Sequence, residues 1–175
     1  SGGAITTGEK NTALGTNSLI SLVTGDRNVA IGYNTLSALV TADNEGDNVA
    51  VGFNAGASLT TGLNNTLMGT YAGDGMTTGN QNVAIGAYAL TSANAGDYNV
   101  AIGLQALSSQ NAGSAGVDMY NTAVGYKAGK DVTTAVQNTL MGAEAGDSLT
   151  TGSKNIAIGF RSLSTESTGS KNVAL

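Results

Sequence analysis

One short motif recurs ten times along this 175-residue chain: Asn, then Thr, Val or Ile, then Ala or Leu, then an aliphatic residue and Gly. The copies begin 17 residues apart, except for one interval of 20 and one of 22, and the tenth copy is truncated. Their first residues are Asn11, Asn28, Asn48, Asn65, Asn82, Asn99, Asn121, Asn138, Asn155 and Asn172. A period this short is typical of a solenoid, because 17 residues are too few for a strand, a crossover helix and a turn.

Within each motif a large apolar residue alternates with a small one, which is the period-two pattern of a β-strand. In residues 28–32, Val29 and Ile31 point to one side of the strand, while Asn28 and Ala30 point to the other. We expect the Val and Ile columns to fill a narrow core. The Ala column would then form a flat outer surface where neighbouring chains approach closely.

The pattern predicts an all-β chain, a parallel β-solenoid (β-roll) of about ten 17-residue coils, forming one domain over residues 1–175. We expect two short strands per coil, separated by Gly-containing turns, and coils stacked at about 4.8 Å into a rod on the order of 50 Å long. Stacking would place Asn over Asn in an amide ladder and Thr over Thr in a hydroxyl ladder. Gly32 and its equivalents would bend the chain where a Cβ atom is excluded.

Composition argues against catalysis and against anionic partners. The chain has no His and no Cys, 11% charged residues and a net charge of −5. It therefore lacks the usual general bases, nucleophiles and soft metal ligands, and it has no basic cluster for nucleic acid. We expect no catalytic residues, no metal site, no cofactor, no nucleic acid partner and no membrane insertion by this segment. The acidic run at residues 43–47 does not match a known calcium-loop spacing.

The two long coils carry the candidate recognition residues. Their extra residues fall within 39–47 and 108–120, at the same place in the coil, so they should project as loops from one edge of the rod. Insertions in solenoids map to loops and often to the binding face, although neutral decoration is the alternative. The candidate ligand-recognition residues are Asn44, Glu45, Asp47, Asn111, Asp118 and Tyr120. Exposed aromatic rings would either stack on sugars or cover a corner of the rod.

The core motif resembles the head repeat of trimeric autotransporter adhesins. The resemblance covers all ten coils and is clearest at residues 28–32, 82–86, 99–103 and 155–159. It implies a left-handed parallel β-roll in which three chains pack side by side, and hence a homotrimer. Similar repeats occur in phage and phage-derived tail fibres, and the 17-residue period and Thr-Thr-Gly segments look more like those versions.

The resemblance implies a non-enzymatic segment of a trimeric fibre or adhesin that attaches to a cell or host surface through a glycan or a surface protein. Its expected location is extracellular, as a piece of a longer cell-surface or virion fibre. Three alternatives stay open. The segment would be a passive spacer carrying a separate tip domain, an ice-binding solenoid using its Thr column, or a glycan-degrading fibre enzyme with paired carboxylates.

Overall fold

A computed structural model describes residues 1–42, 45–92 and 96–175, and these residues contain strands, turns and bends but no helix. Ten strands pair in parallel, each with the strand of the next coil, in one sheet that makes about nine turns of a β-solenoid. Two further strands, β6 and β8, pair with each other. The strands are β1 (Thr12–Leu14), β2 (Val29–Ile31), β3 (Val49–Val51), β4 (Thr66–Met68), β5 (Val83–Ile85), β6 (Gly96–Asp97), β7 (Val100–Ile102), β8 (Val117–Asp118), β9 (Thr122–Val124), β10 (Thr139–Met141), β11 (Ile156–Ile158) and β12 (Val173–Ala174). The parallel solenoid is confirmed, and nine rises give a sheet about 43 Å long.

Among the described residues, most coils contribute one strand, and only two coils have a second strand, β6 or β8, so the expectation of two strands in every coil is wrong. Three columns of residues in the left-handed backbone region interrupt each coil, as at Tyr71, Gln81 and Leu90, whose φ angles are 57°, 56° and 52°. The glycine that ends each strand also has positive φ, 129° at Gly86 for example. Extended backbone cannot persist through such residues, and the chain outside the motif is therefore a series of turns.

A ladder of buried asparagines holds the coils in register. At its centre, the Asn82 side chain is fully buried and donates through Nδ2 to the Gly96 carbonyl at 2.9 Å and to Asn65 Oδ1 at 3.2 Å. Its Oδ1 accepts the backbone N–H of Asn99 at 2.9 Å. The same pattern links Asn28 to Asn48 and recurs along the rod. The predicted amide ladder is confirmed.

The Thr-Thr-Gly segments form a different contact from the one expected. The Thr60 hydroxyl donates to the Thr77 carbonyl of the next coil at 2.9 Å, and the Thr150 hydroxyl donates to the Ser167 carbonyl at 2.9 Å. These hydroxyls therefore bond to backbone rather than to one another. The following glycine, Gly62, lies so close to the next coil that a Cβ atom would collide with its backbone.

The core is the reverse of the sequence prediction. Ala84 is fully buried, whereas its neighbours Val83 and Ile85 face outward and are only half-buried. The alternation of large and small residues predicts that Ala84 lies on the opposite face of the strand from Val83 and Ile85, but it does not predict which face is buried. The interior is already occupied by columns from the opposite wall, including Leu90 and Leu107, and it has room for only a small residue beside them.

Leucine and glycine exchange places between the two walls of the core. Coils with Ala in the strand mostly carry a buried leucine opposite, as Ala84 does with Leu90. Where the strand carries Leu67, the opposite position is Gly73, and a Cβ atom there would lie 2.8 Å from Leu67 Cδ2. In these coils one leucine fills the space in either arrangement. The coils of Ala50 and Ala123 have glycine opposite instead, and that space is filled by the leucine of the next coil, since a Cβ atom at Gly56 would lie 2.7 Å from Leu67 Cδ1.

We expect Asn82→Ala to lower the free energy of unfolding by about 3 kcal/mol, because it leaves the buried Asn99 N–H and Gly96 carbonyl without hydrogen-bond partners. Urea unfolding at fixed protein concentration measures this. Thr61→Ala, at an exposed corner of a neighbouring coil, should change stability by no more than about 0.5 kcal/mol. Equal losses in the two variants would contradict a stabilising ladder.

We expect Leu67→Ala to cost about 3 kcal/mol through the cavity it leaves. Gly73→Leu alone should cost about 2 kcal/mol by overpacking against Leu67. The double variant recreates the Ala84 and Leu90 arrangement and should unfold within about 1.5 kcal/mol of the wild type. A double-mutant cycle from urea unfolding curves gives the coupling, and additive losses would contradict the exchange of volume.

Candidate functional site

The two insertions leave the rod at the same place in their coils, one after β2 and the other after β7. They lie four coils apart, or about 19 Å along the rod. The backbone of β8 in the second insertion pairs in parallel with β6 of the preceding coil. The first insertion makes one parallel bridge, between Asp26 and Gly46. Each loop is therefore fastened to the neighbouring coil at its base.

In the first insertion, Asp47 forms a bidentate ion pair with Arg27 of the preceding coil. Arg27 Nε lies 2.6 Å from Asp47 Oδ1, and a second guanidinium nitrogen lies 2.9 Å from Oδ2. The hydrogen bond and the charge of Arg27 hold the pKa of Asp47 below its ordinary value. Glu45 is exposed, and its backbone carbonyl accepts the Asp26 N–H at 2.8 Å. Asn44 lies outside the described residues.

In the second insertion, Asp118 and Tyr120 come together. The Tyr120 hydroxyl donates to Asp118 Oδ2 at 2.9 Å, and this bond to a carboxylate raises the pKa of the phenol. The Tyr120 ring stacks on Tyr98 of the preceding coil, with ring centroids 5.0 Å apart. Asn111 Oδ1 accepts the Gly113 N–H at 2.8 Å at the start of the loop. Of the six candidates, the structure thus brings Asp118 and Tyr120 into direct contact.

Sequence reasoning missed a polar residue in the core beneath this loop. Gln110 is fully buried in a column otherwise occupied by residues such as Leu59, Met76 and Val132. Its Oε1 accepts Asn121 Nδ2 at 3.2 Å, so at the long coil Gln110 takes the place of the preceding asparagine as acceptor of the side-chain N–H, while Asn99 Oδ1 still accepts the Asn121 backbone N–H at 3.2 Å. Its Nε2 has no hydrogen-bond partner in the structure. The sequence did contain a signal for this buried residue, since Gln110 is the one amide in a column of mostly large apolar residues.

Four aromatic rings form a continuous stack on the edge of the rod that follows the strand glycines. Tyr33, Phe53, Tyr71 and Tyr88 come from successive coils, with centroids 5.3, 5.4 and 5.3 Å apart. Tyr33–Phe53 and Tyr71–Tyr88 are nearly parallel, whereas Phe53–Tyr71 is edge to face. The rings largely occupy one another's faces, which leaves less face area for stacking on a sugar.

An uncharged face, which we call the outer sheet face, runs along the whole sheet. It is formed by the first and third residues of each motif strand, two columns separated by the buried Ala or Leu. Its residues are Thr12, Leu14, Val29, Ile31, Val49, Val51, Thr66, Met68, Val83, Ile85, Val100, Ile102, Thr122, Val124, Thr139, Met141, Ile156, Ile158 and Val173. Met68, Met141 and Ile158 are 41%, 43% and 42% exposed, and at about 10 Å wide the face covers roughly 400 Å². The largest apolar patch of a typical soluble monomer covers about 300–600 Å² and is often functional, and this face lies in that range.

Charged side chains elsewhere form short ladders rather than clusters. Lys127, Glu144 and Arg161 occupy equivalent positions in three successive coils, and Arg161 Nε lies 2.5 Å from Glu144 Oε2. Among the described residues there is no group of three or more His, Cys, Asp or Glu side chains that could hold a metal ion. The same part of the chain contains no helix long and apolar enough to cross a membrane.

Comparison of the chain with protein-family models, with curated proteins and with solved structures found no match.

We expect Asp118→Asn to lower the pKa of Tyr120 towards the ordinary value of a tyrosine, since the hydrogen bond to a carboxylate, which raises it, is lost. A pH titration of the tyrosine ring-carbon resonances measures the change. Asp47→Asn makes the same substitution four coils away, beyond the roughly 8 Å screening length at physiological salt, and should leave Tyr120 unaffected. Coincident titration curves for wild type and Asp118→Asn would contradict the assigned hydrogen bond.

Proposed function

We propose that this chain is a non-enzymatic segment of an extracellular trimeric fibre or adhesin that attaches to a cell or host surface. The observation that carries the proposal is the outer sheet face. Its Val, Ile, Leu and Met side chains remain partly exposed along a straight, parallel sheet. Leaving this area in water is unfavourable at about 25 cal/mol per Å².

Copies of the same chain fit this face best. The face has no charged residue and repeats every coil, so a second chain in the same orientation meets matching apolar columns along the full length. Three chains around a central axis would each bury the face and leave the long-coil loops at the periphery. The resemblance of the motif to the head repeat of trimeric autotransporter adhesins supports three copies rather than two.

Attachment would then depend on repetition rather than on one deep pocket. Three chains present three copies of each long-coil loop at the periphery of the rod, and simultaneous contacts by these loops raise a weak single-site affinity through avidity. The loop that carries Asp118 and Tyr120 is the better candidate for contact with a glycan or a surface protein. The Asp118 and Tyr120 side chains are exposed, and the base of the loop is fastened through β8.

Assembly predicts a melting temperature that rises with protein concentration, because subunit association stabilises the folded state by mass action. We expect Ile85→Lys to abolish this dependence, because it places a charge in the middle of the buried face. Thr61→Lys adds the same charge at an exposed corner, and its melting temperature should still rise with protein concentration. Calorimetry over a hundredfold range of concentration is the measurement, and a concentration-independent melting temperature for the wild type would contradict assembly.

Attachment is tested by binding of fluorescent protein to glycan arrays and whole cells. We expect the double variant Asp118→Ala, Tyr120→Asn to bind about tenfold more weakly, the loss of roughly 1.4 kcal/mol. Asn tolerates the left-handed φ of 52° at position 120, so the fold is retained. Gln137→Asn alters the next residue of the same exposed column and serves as the control.

A passive spacer is the alternative function, and the regular ladder and constant coil geometry favour it. A spacer predicts that the wild-type chain binds no glycan and no cell. Absence of binding to glycan arrays and to cells would therefore overturn attachment. It would leave the proposed assembly intact, because assembly is measured separately by the concentration dependence of the melting temperature.

A further inference from the structure

Two pairs of tyrosines stack face to face between adjacent coils. Tyr98 and Tyr120 have ring centroids 5.0 Å apart and planes inclined by 15°, and Tyr71 and Tyr88 have centroids 5.3 Å apart and planes inclined by 16°. Tyr98 and Tyr120 are 42% and 47% exposed, so an oxidant in solution reaches both rings. Two phenols held this close react without having to find each other by diffusion.

The Tyr98–Tyr120 pair has a feature that the other pair lacks. The Tyr120 hydroxyl donates to the Asp118 carboxylate, which is placed to take the phenolic proton when an electron leaves the ring. Neither Tyr71 nor Tyr88 donates its hydroxyl to a carboxylate among the residues that the structure describes. Proton removal by a positioned base favours oxidation of the phenol, as in general base catalysis.

We propose that Tyr98 and Tyr120 are a site of oxidative cross-linking, at which a peroxidase-type one-electron oxidant joins the two rings as dityrosine and Asp118 accepts the proton of Tyr120. The proposal goes beyond attachment and does not depend on it. The link would tie the long coil to the coil before it, across the same edge that β6 and β8 join.

Each phenol loses one electron and its hydroxyl proton, giving two phenoxyl radicals. The proton of Tyr120 passes to Asp118, which releases it to the solvent, and the proton of Tyr98 passes to the solvent directly. The radicals combine through a carbon–carbon bond between the ring positions next to the oxygens, and the ring hydrogen at each new bond moves to the oxygen to restore the phenol. One hydrogen peroxide takes up the two electrons and two protons and becomes two waters.

The cross-link would act as a covalent staple on the solenoid. It closes the segment between residues 98 and 120, which includes the whole second insertion. Closing a loop of this length reduces the conformational freedom of the unfolded chain, as a disulfide does. We therefore expect the cross-linked protein to unfold at a higher urea concentration than the untreated protein.

The test treats the intact chain with a haem peroxidase and hydrogen peroxide, then digests it with a protease that cleaves before Asp. Cleavage before Asp47, Asp74, Asp97, Asp118 and Asp131 separates the relevant tyrosines. The proposed link joins peptide 97–117 to peptide 118–130, with the loss of two hydrogen atoms. The matched internal control, Tyr71 with Tyr88, would join peptide 47–73 to peptide 74–96.

We expect the 97–117 and 118–130 link to form several-fold faster than the control link, and Tyr120→Phe to abolish it. In Asp118→Asn, residues 97–130 remain one peptide, and we expect its loss of two hydrogens to slow to the rate of the control link. On a denaturing gel, the product should run with a single chain of 17.2 kDa, which shows that the link is within one chain.

Three results would overturn the proposal. The first is formation of the Tyr71–Tyr88 link alone. The second is an undiminished rate in Asp118→Asn, which would remove the role of the carboxylate. The third is cross-linked product that runs only at two or three chain masses, which would place the coupling between chains.

Discussion

The buried asparagine ladder is the constraint on which the rest of the structure depends. Each side chain satisfies two backbone groups of the stack and one or two neighbouring amides, so a coil shifted by one residue would leave several buried polar groups without partners. With register fixed in this way, every other column is fixed too. The small residue of each strand faces the interior, the leucines of the opposite wall fill it, and the aliphatic residues are directed outward.

The proposed assembly would bury the outward aliphatic columns. The core is narrow, because each strand contributes one small residue or one leucine to it, and much of the apolar surface of the chain lies outside it. Association along the outer sheet face would recover that surface, so folding and assembly become parts of one stabilisation. The two long-coil loops lie outside this interface, because their insertions leave the coil away from the strand columns. Extra residues can therefore be inserted in these loops without changing the outer sheet face, as at residues 113–117 beyond Gln110.

The motif period was enough to predict the parallel solenoid and its amide ladder. Alternation in residues such as Val83, Ala84 and Ile85 could not tell inside from outside, because a period of two is symmetric between faces. The answer depended on Leu90 and Leu107, which lie elsewhere in the coil. Likewise, the loops at Asp47 and Asp118 were placed correctly on one edge, but the stacking of Tyr98 on Tyr120 depends on how two coils of unequal length align.

In the proposed assembly, the outer sheet face is buried between three copies of this chain. Sedimentation equilibrium of the wild-type protein measures its mass in solution and is the most direct test of this burial. We expect three times the chain mass of 17.2 kDa, unchanged on dilution through the micromolar range. A single-chain mass at all accessible concentrations would contradict it, because the face would then remain exposed to water.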